Sequence, residues 1–498
     1  MNEGTSRQSE VTAKFNRSER RVGEVPFWIK FAQGFSALPG QHKEWAFNTL
    51  LLLYYSQILG MSATLAAGVS AISLVFDAIS DPMAGAISDS FRSRRLGRRH
   101  PLMLASIIPS CVSIFALFSP PQDLSEYYLA AWMLACTITL RVSFSFFAVP
   151  WGAIAAELSE DYAERTIIIA FRMMIGVLGG GLFGSFALLV VFPESESGLF
   201  NPTHYGPFAA TISGLMFFWM TFSTLATMNQ VKYLPQPSDA VPKIALWDML
   251  VRTAEALKNN YFRTLFIATL IASAVIGTGQ VFDVYMNTFF WGFGTGDLSL
   301  LLWGGIFGMV SSILTIKPLQ RRFEKRDLIL FALSFITVLQ ILKVSLRFAG
   351  WLPENGDALL LQIFIFQTML MGYCGSLFLM MYASMMADIA DDQELKNGLR
   401  QEGIFSGGIT FAGKVTSGFG LILGGLLLDL VIIFPKGLEP GQVAQDVLTR
   451  MAVIDGIIMP ALNIIPFLLL LKYKLNRAAV QEIQMQLNAR RQPAEAPN

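Results

Sequence analysis

The chain has 498 residues, of which 53% are apolar and only 15% charged, with a formal net charge of +1. Soluble domains carry about 25% charged residues, so a soluble globular protein of this length is excluded. The balanced charge includes no basic domain of the kind that binds nucleic acid. Cys111, Cys136 and Cys374 lie in apolar segments and read as small buried hydrophobes. His42, His100 and His204 have no metal-ligand spacing.

Residues 1–29 are polar and basic, and the apolar stretch after them is too long for a signal-peptide core. It predicts a first spanning helix with the N-terminus left in the cytoplasm. A span needs about 20 mostly apolar residues. Such stretches occur at 30–59, 62–88, 101–119, 127–156, 166–192 and 207–229. They recur at 264–292, 298–316, 328–347, 359–387, 404–432 and 451–471. Helix is the expected form, because lipid offers no partner to open backbone groups. The expected fold is an all-α membrane protein with twelve transmembrane helices in two six-helix bundles, 30–229 and 264–471. Residues 230–263 form a cytoplasmic linker and 472–498 a charged, mobile cytoplasmic tail. Within the linker, 244–258 repeats apolar residues at helical spacing, including Trp247, and predicts an amphipathic helix on the membrane face. Most of the 37 Lys and Arg residues fall on the N-terminal side of this topology. The opposite loops hold only Arg347, Lys436 and Arg450, which places both termini in the cytoplasm of an inner-membrane, multi-pass protein.

Charged residues inside apolar spans are functional candidates by default. Span 1 carries Gln41, His42, Lys43 and Glu44 after Pro39 and Gly40, and Lys43 can pair with Glu44. Span 2 carries Asp77 and Asp81, four apart and therefore on one helix face. Two like charges there need a cation between them or a shared proton. Asp89, Arg98 and Arg99 mark the membrane edge after span 2 and are expected to tie helix ends together. Span 4 offers Arg141, Ser143 and Ser145; span 5 offers Arg172; span 7 offers Gln280 and Asp283. Span 11 holds Lys414 in a segment without other charges, so its ammonium must face a cavity or a carboxylate; Asp77 and Asp81 are the expected partners.

The two halves echo each other. Ala156-Glu157 with Glu160 and Asp161 after span 4 matches Ala387-Asp388 with Asp391 and Asp392 after span 10. Basic loops follow spans 2 and 8. Parallel six-helix repeats belong to transporters of the major facilitator kind.

Together, the Asp77-to-Pro82 segment, the basic loop, Val149-Pro150-Trp151, Arg172 and Lys414 resemble the glycoside–pentoside–hexuronide:cation symporters, nearly end to end. The melibiose permease and the sodium-coupled lysolipid symporters of animals are relatives within that resemblance. It implies a major facilitator fold and cation binding by Asp77, Asp81 and Ser145, with Lys414 beside them. It further implies a place for Arg172 near the solute and a gating role for Asp89, Arg98 and Arg99. Gln41, Glu44, Trp151 and Asp283 complete the candidate substrate set. The sugar-gripping positions depart from the pattern: they fall on Ala148, Gln41 and Gly152. Melibiose-like galactoside binding is therefore not expected.

The expected function is a symporter moving a small organic solute, such as a glycoside or sugar acid, with Na+ or H+ by alternating access. The alternatives are a lysolipid or other amphipathic solute, and a non-transporting sensor. The sequence has no nucleophile–base set, metal cluster or Walker-type glycine loop, so no enzyme, cofactor or ATP-driven pump is expected. Expected partners are the small-molecule substrate and membrane lipid, with no nucleic acid, and the chain is expected to act as a monomer.

Overall fold

A backbone surrounded by lipid must bond to itself, and this chain does so through long helices. The computed structural model describes residues 15–16, 23–91, 93, 95–159, 161–234, 236–237, 251, 254–397 and 402–491. Most of the linker helix expected at 244–258 lies outside these residues. Among those described, eleven helices are long and apolar enough to cross a membrane. Their large apolar side chains point outward: Leu314 is 76% exposed and Phe419 66%. In water this would be costly at about 25 cal/mol per Å²; against lipid it is not.

The eleven match the expected spans except the first. There the chain forms two short helices, α1 (Phe27–Phe35) and α2 (Leu38–Ala46), then two π-helical stretches, Phe47–Leu51 and Tyr54–Ile58. The cause is in the sequence. Pro39 takes the second position of α2, where a missing N–H costs nothing, and His42, Lys43 and Glu44 dilute the apolar run. The expected first span is thus a broken segment.

Two compact units emerge, Met1–Met61 with Ile72–Ile244, and Ser62–Ala71 with Ala245–Asn498. The first contains α1, α2, most of α3 (Ala63–Ser90), α4 (His100–Leu117), α5 (Glu126–Glu157), α6 (Tyr162–Phe186) and α7 (Tyr205–Met228). Small residues let its helices approach closely: a Cβ on Gly179 of α6 would run into Leu38 of α2. Buried rings of Tyr54, Phe118, Phe192, Tyr205 and Phe208 pack together at the far end of this unit from Glu157. Asp161 caps α6 by accepting from Glu164 N at 3.0 Å, a contact typically worth about 1 kcal/mol.

The second unit holds α8 (Asn260–Tyr285), α9 (Thr295–Arg322), α10 (Lys325–Phe348), α11 (Ala358–Asn397), α12 (Glu402–Leu426), α13 (Gln445–Val453) and α14 (Ile464–Leu471). The α9–α11 crossing is close because Gly308 has no side chain; a Cβ there would overlap the Met369 carbonyl. The start of α3, up to Ala71, belongs to this unit, and Asp429 accepts from its Ala63 and Thr64 N–H groups at 3.2 and 2.8 Å.

The C-terminal segment differs from the mobile tail expected. Arg477–Arg491 forms a helix, α15. Val480, Ile483 and Leu487 recur at helical spacing and are buried in a cluster with Leu265, Leu333 and Met385. Arg477 fastens its start: its backbone N–H donates to Glu324 Oε2 at 3.0 Å, and its guanidinium donates to the Phe323 carbonyl at 3.0 Å. The segment reads as polar overall because only one narrow stripe of α15 is apolar.

Candidate functional site

Helices α3 and α5 present matching four-residue ladders. On α3, Ser73, Asp77 and Asp81 share a face; on α5, Arg141 and Ser145 do. The rungs meet in register. Arg141 Nε donates to Ser73 Oγ at 2.9 Å, and its Nη1 lies 3.5 Å from Asp77 Oδ2. One turn along, Ser145 Oγ donates to Asp81 Oδ1 at 2.7 Å, and Ser80 Oγ lies 2.8 Å from Ser145 Oγ. Asp77, Ser80, Arg141 and Ser145 are buried, and Asp81 is half-buried. The ring of Phe47 lies 4.9 Å from the Arg141 guanidinium, carried there by the π-helical stretch after α2. Buried charges are kept only with partners of this kind. Ser143 turns to another neighbour, Ser110 on α4, at 2.8 Å.

A second group joins α1, α5 and α6. Trp151 is buried and held by a reciprocal pair of hydrogen bonds. Its Nε1 donates to the Gln33 carbonyl at 3.1 Å, and Gln33 Nε2 donates to the Trp151 carbonyl at 2.9 Å. Arg172 stacks its guanidinium 3.9 Å from the Trp151 ring centre. One indole face is thereby covered by a cation, so Trp151 orients Arg172 as much as it offers a surface to a solute. Gly152 leaves room beside this pair, since an added Cβ would sit 3.7 Å from Arg172 Nη1. On α2, Lys43 Nζ pairs with Glu44 Oε1 at 2.9 Å and stands 4.8 Å from the Phe144 ring centre. Gln41 and Glu44 are exposed, whereas Lys43 is buried. Gln41 packs along the glycines of α6; a Cβ on Gly180 would come within 3.2 Å of its Cβ.

At the end of α3 the edge charges converge. Arg99 Nη1 pairs with Asp89 at 2.8 Å and Nη2 with Glu157 at 2.7 Å. Arg98 also grips Glu157 and lies 3.6 Å from Asp89. Glu157 is the centre of this cluster, a role that sequence reading gave to none of the acids in its loop. The second unit repeats the plan: Lys325 pairs with Asp388 at 2.6 Å, and Lys396 with Asp392 at 2.6 Å. Glu157 and Asp388 occupy corresponding places in the sequence echo.

Lys414 is half-buried on α12. Asp283 on α8 accepts from Asn287 Nδ2 at 3.3 Å. Lys343 of α10 acts electrostatically on both Asp283 and Asp455, the latter in a π-helical stretch of the last span, Ile454–Ile458. Sequence reading missed Lys343 and Asp455. Their signal was available, since each is a charge inside an apolar span. Among the described residues, no group of His, Cys, Asp and Glu could hold a bound metal of the structural kind. The three cysteines are free and buried.

Comparison with known proteins agrees with this architecture. The family described as MFS/sugar transport protein matches residues 32–477. An isoprimeverose transporter of Lactiplantibacillus pentosus is 23% identical over 409 residues, covering 81% of this chain and 80% of that protein. The inner membrane symporter YicJ of Escherichia coli (strain K12) is 23% identical over 399 residues, covering 80% of each. Among solved structures, the nucleoside transporter NupG shares the fold at a TM-score of 0.59. Its identity is 14%, with 90% of this chain and all of NupG covered.

Proposed function

The chain belongs to the MFS/sugar transport protein family, and we propose that it is a cation-coupled symporter of a glycoside, sugar acid or similar hydroxylated solute. The observation that carries this is the α3–α5 ladder: two carboxylates on one helix face, within a span, lined by buried hydroxyls. Intramembrane carboxylates are kept where an ion must be bound and released. The hydroxyls of Ser80 and Ser145 supply the oxygen donors that a hard cation or a proton shared with Asp81 requires. The relatives named as an isoprimeverose transporter and a symporter support the solute class and the coupling.

The working scheme is alternating access. Coupling requires the bound ion to favour the solute-binding arrangement, and linkage makes the effect reciprocal. Arg172, held over Trp151, is the proposed donor to solute hydroxyls or a carboxylate, with Gln41 and Glu44 as further polar contacts. Lys414 and Asp283 are assigned to the second half's share of the chemistry because each is a charge within an apolar span. Asp89, Arg98, Arg99 and Glu157 are proposed to hold helix ends that separate when access changes. The Lys and Arg distribution supports both termini in the cytoplasm, and the inner membrane is the proposed location.

The test is uptake in proteoliposomes without ATP, over a panel of glycosides, sugar acids and lysolipids, with sodium or proton gradients imposed. Accumulation of a glycoside or sugar acid under an ion gradient is expected. Accumulation of a lysolipid alone would replace the solute class, and no gradient-driven uptake of any compound would remove the proposal. Thermal stabilisation by the same panel gives an independent reading of binding.

A further inference from the structure

Two carboxylates one turn apart should leave a gap for a cation, yet the structure places a protein cation at one of them. Arg141 reaches Asp77 with Nη1 at 3.5 Å while its Nε is committed to Ser73 at 2.9 Å. Phe47 covers the guanidinium at 4.9 Å, and Arg141 is only 5% exposed. Three separate contacts thus fix this side chain, and two of them do not involve Asp77. Lys43 and Glu44 on α2 lie near it as well: Glu44 interacts electrostatically with both Arg141 and Asp77, and is itself paired to Lys43 at 2.9 Å. Lys43 and Arg141 thus set two cations beside the carboxylates of Glu44 and Asp77 before any ion arrives.

We propose that Arg141 is the resident counter-ion of Asp77, and so determines which ion the transporter accepts. A guanidinium cannot be deprotonated under these conditions, so its charge is permanent. A sodium ion approaching Asp77 meets that charge at short range and loses one of the oxygen-rich sides that it needs. Arg141 thus makes the site insensitive to sodium, and removing its charge opens the paired-carboxylate site. This rests on the symporter reading above, but the experiment needs no solute.

The test uses the purified full-length protein in lipid nanodiscs. Melting temperature and radioactive sodium binding are followed as choline chloride is exchanged for sodium chloride at constant ionic strength. The wild-type protein and Arg141→Lys, which keeps the charge, are expected to show no saturable sodium effect. Arg141→Gln is expected to gain a saturable one, with sodium affinity raised at least about tenfold. Adding Asp77→Asn to Arg141→Gln should abolish the gain. Saturable sodium stabilisation of the wild-type protein, lost in Asp77→Asn, overturns the proposal, and that arm depends on no Arg141 variant. A folded Arg141→Gln that stays blind to sodium overturns it as well. Failure of solute uptake in proteoliposomes would instead fall on the symporter reading, leaving these ion measurements as they are.

Discussion

Asp81 and Ser145 meet because two helices carry them in the same register, and that register was half legible in the sequence. The spacing of Asp77 and Asp81 sets them on one face of α3, and the matching spacing of Arg141 and Ser145 does so on α5. What no spacing could reveal is which pairs face each other across the helices. Arg141 therefore read as one intramembrane ion among several, and Ser73 and Ser80 drew no attention. Asp81→Asn separates the roles at this scale. It keeps the shape and an acceptor for Ser145 but removes the negative charge. Ion-driven accumulation should fall to the level of passive equilibration while solute exchange across the membrane persists. Equal loss of exchange and accumulation would move Asp81 from coupling to solute binding. At the solute end, Arg172→Lys keeps the charge and discards the planar surface stacked on Trp151 at 3.9 Å. A desolvated cation–π contact is worth about 2 kcal/mol. Solute affinity should drop at least about tenfold, read by isothermal calorimetry, with the melting temperature nearly unchanged.

At the scale of elements, the repeat predicts unequal consequences from equivalent changes. Glu157 serves Arg98 and Arg99, whose side chains are 6% and 7% exposed, whereas Asp388 serves Lys325, which is 34% exposed. Removing one partner of a buried ion pair costs about 3–5 kcal/mol, while exposed pairs are worth about 1 kcal/mol or less. Glu157→Gln leaves two buried guanidinium groups to share the more exposed Asp89; Asp388→Asn leaves a lysine that can turn to water. Glu157→Gln should therefore lower the melting temperature clearly more than Asp388→Asn, as scanning fluorimetry in the same detergent would show. Equal shifts would mean that the two clusters anchor their helices equally despite the difference in burial. The echo between these loops was visible in the sequence because acids and bases recur at fixed intervals. The helix α15 was not, because Val480, Ile483 and Leu487 sit among charged and amide residues whose composition outweighs three apolar positions. The break in the first span was hidden for the opposite reason: its mean composition is apolar, and the break comes from Pro39 and the polar run after it.

For the whole molecule, hydropathy sufficed to delimit eleven spans, since helix is the only form that satisfies a lipid-facing backbone. Orientation is a separate matter, carried by the placement of Lys and Arg and not by the fold. The broken first segment makes it testable in a strict way: if Phe27–Ile58 does not cross, every later loop changes side. Cys111, Cys136 and Cys374 are buried, so cysteines added at exposed sites can be read above a low background. Ser195 and Lys436 lie exposed in loops expected outside, and Arg95 in one expected inside. In intact cells, a membrane-impermeant maleimide should label Ser195→Cys and Lys436→Cys but not Arg95→Cys, and all three should label after permeabilisation. The reversed pattern with the N-terminus inside would show that the first segment does not span, leaving eleven crossings and the C-terminus outside. Labelling of Ser195→Cys without Lys436→Cys would mean instead that an odd number of crossings separates those loops, where six are expected.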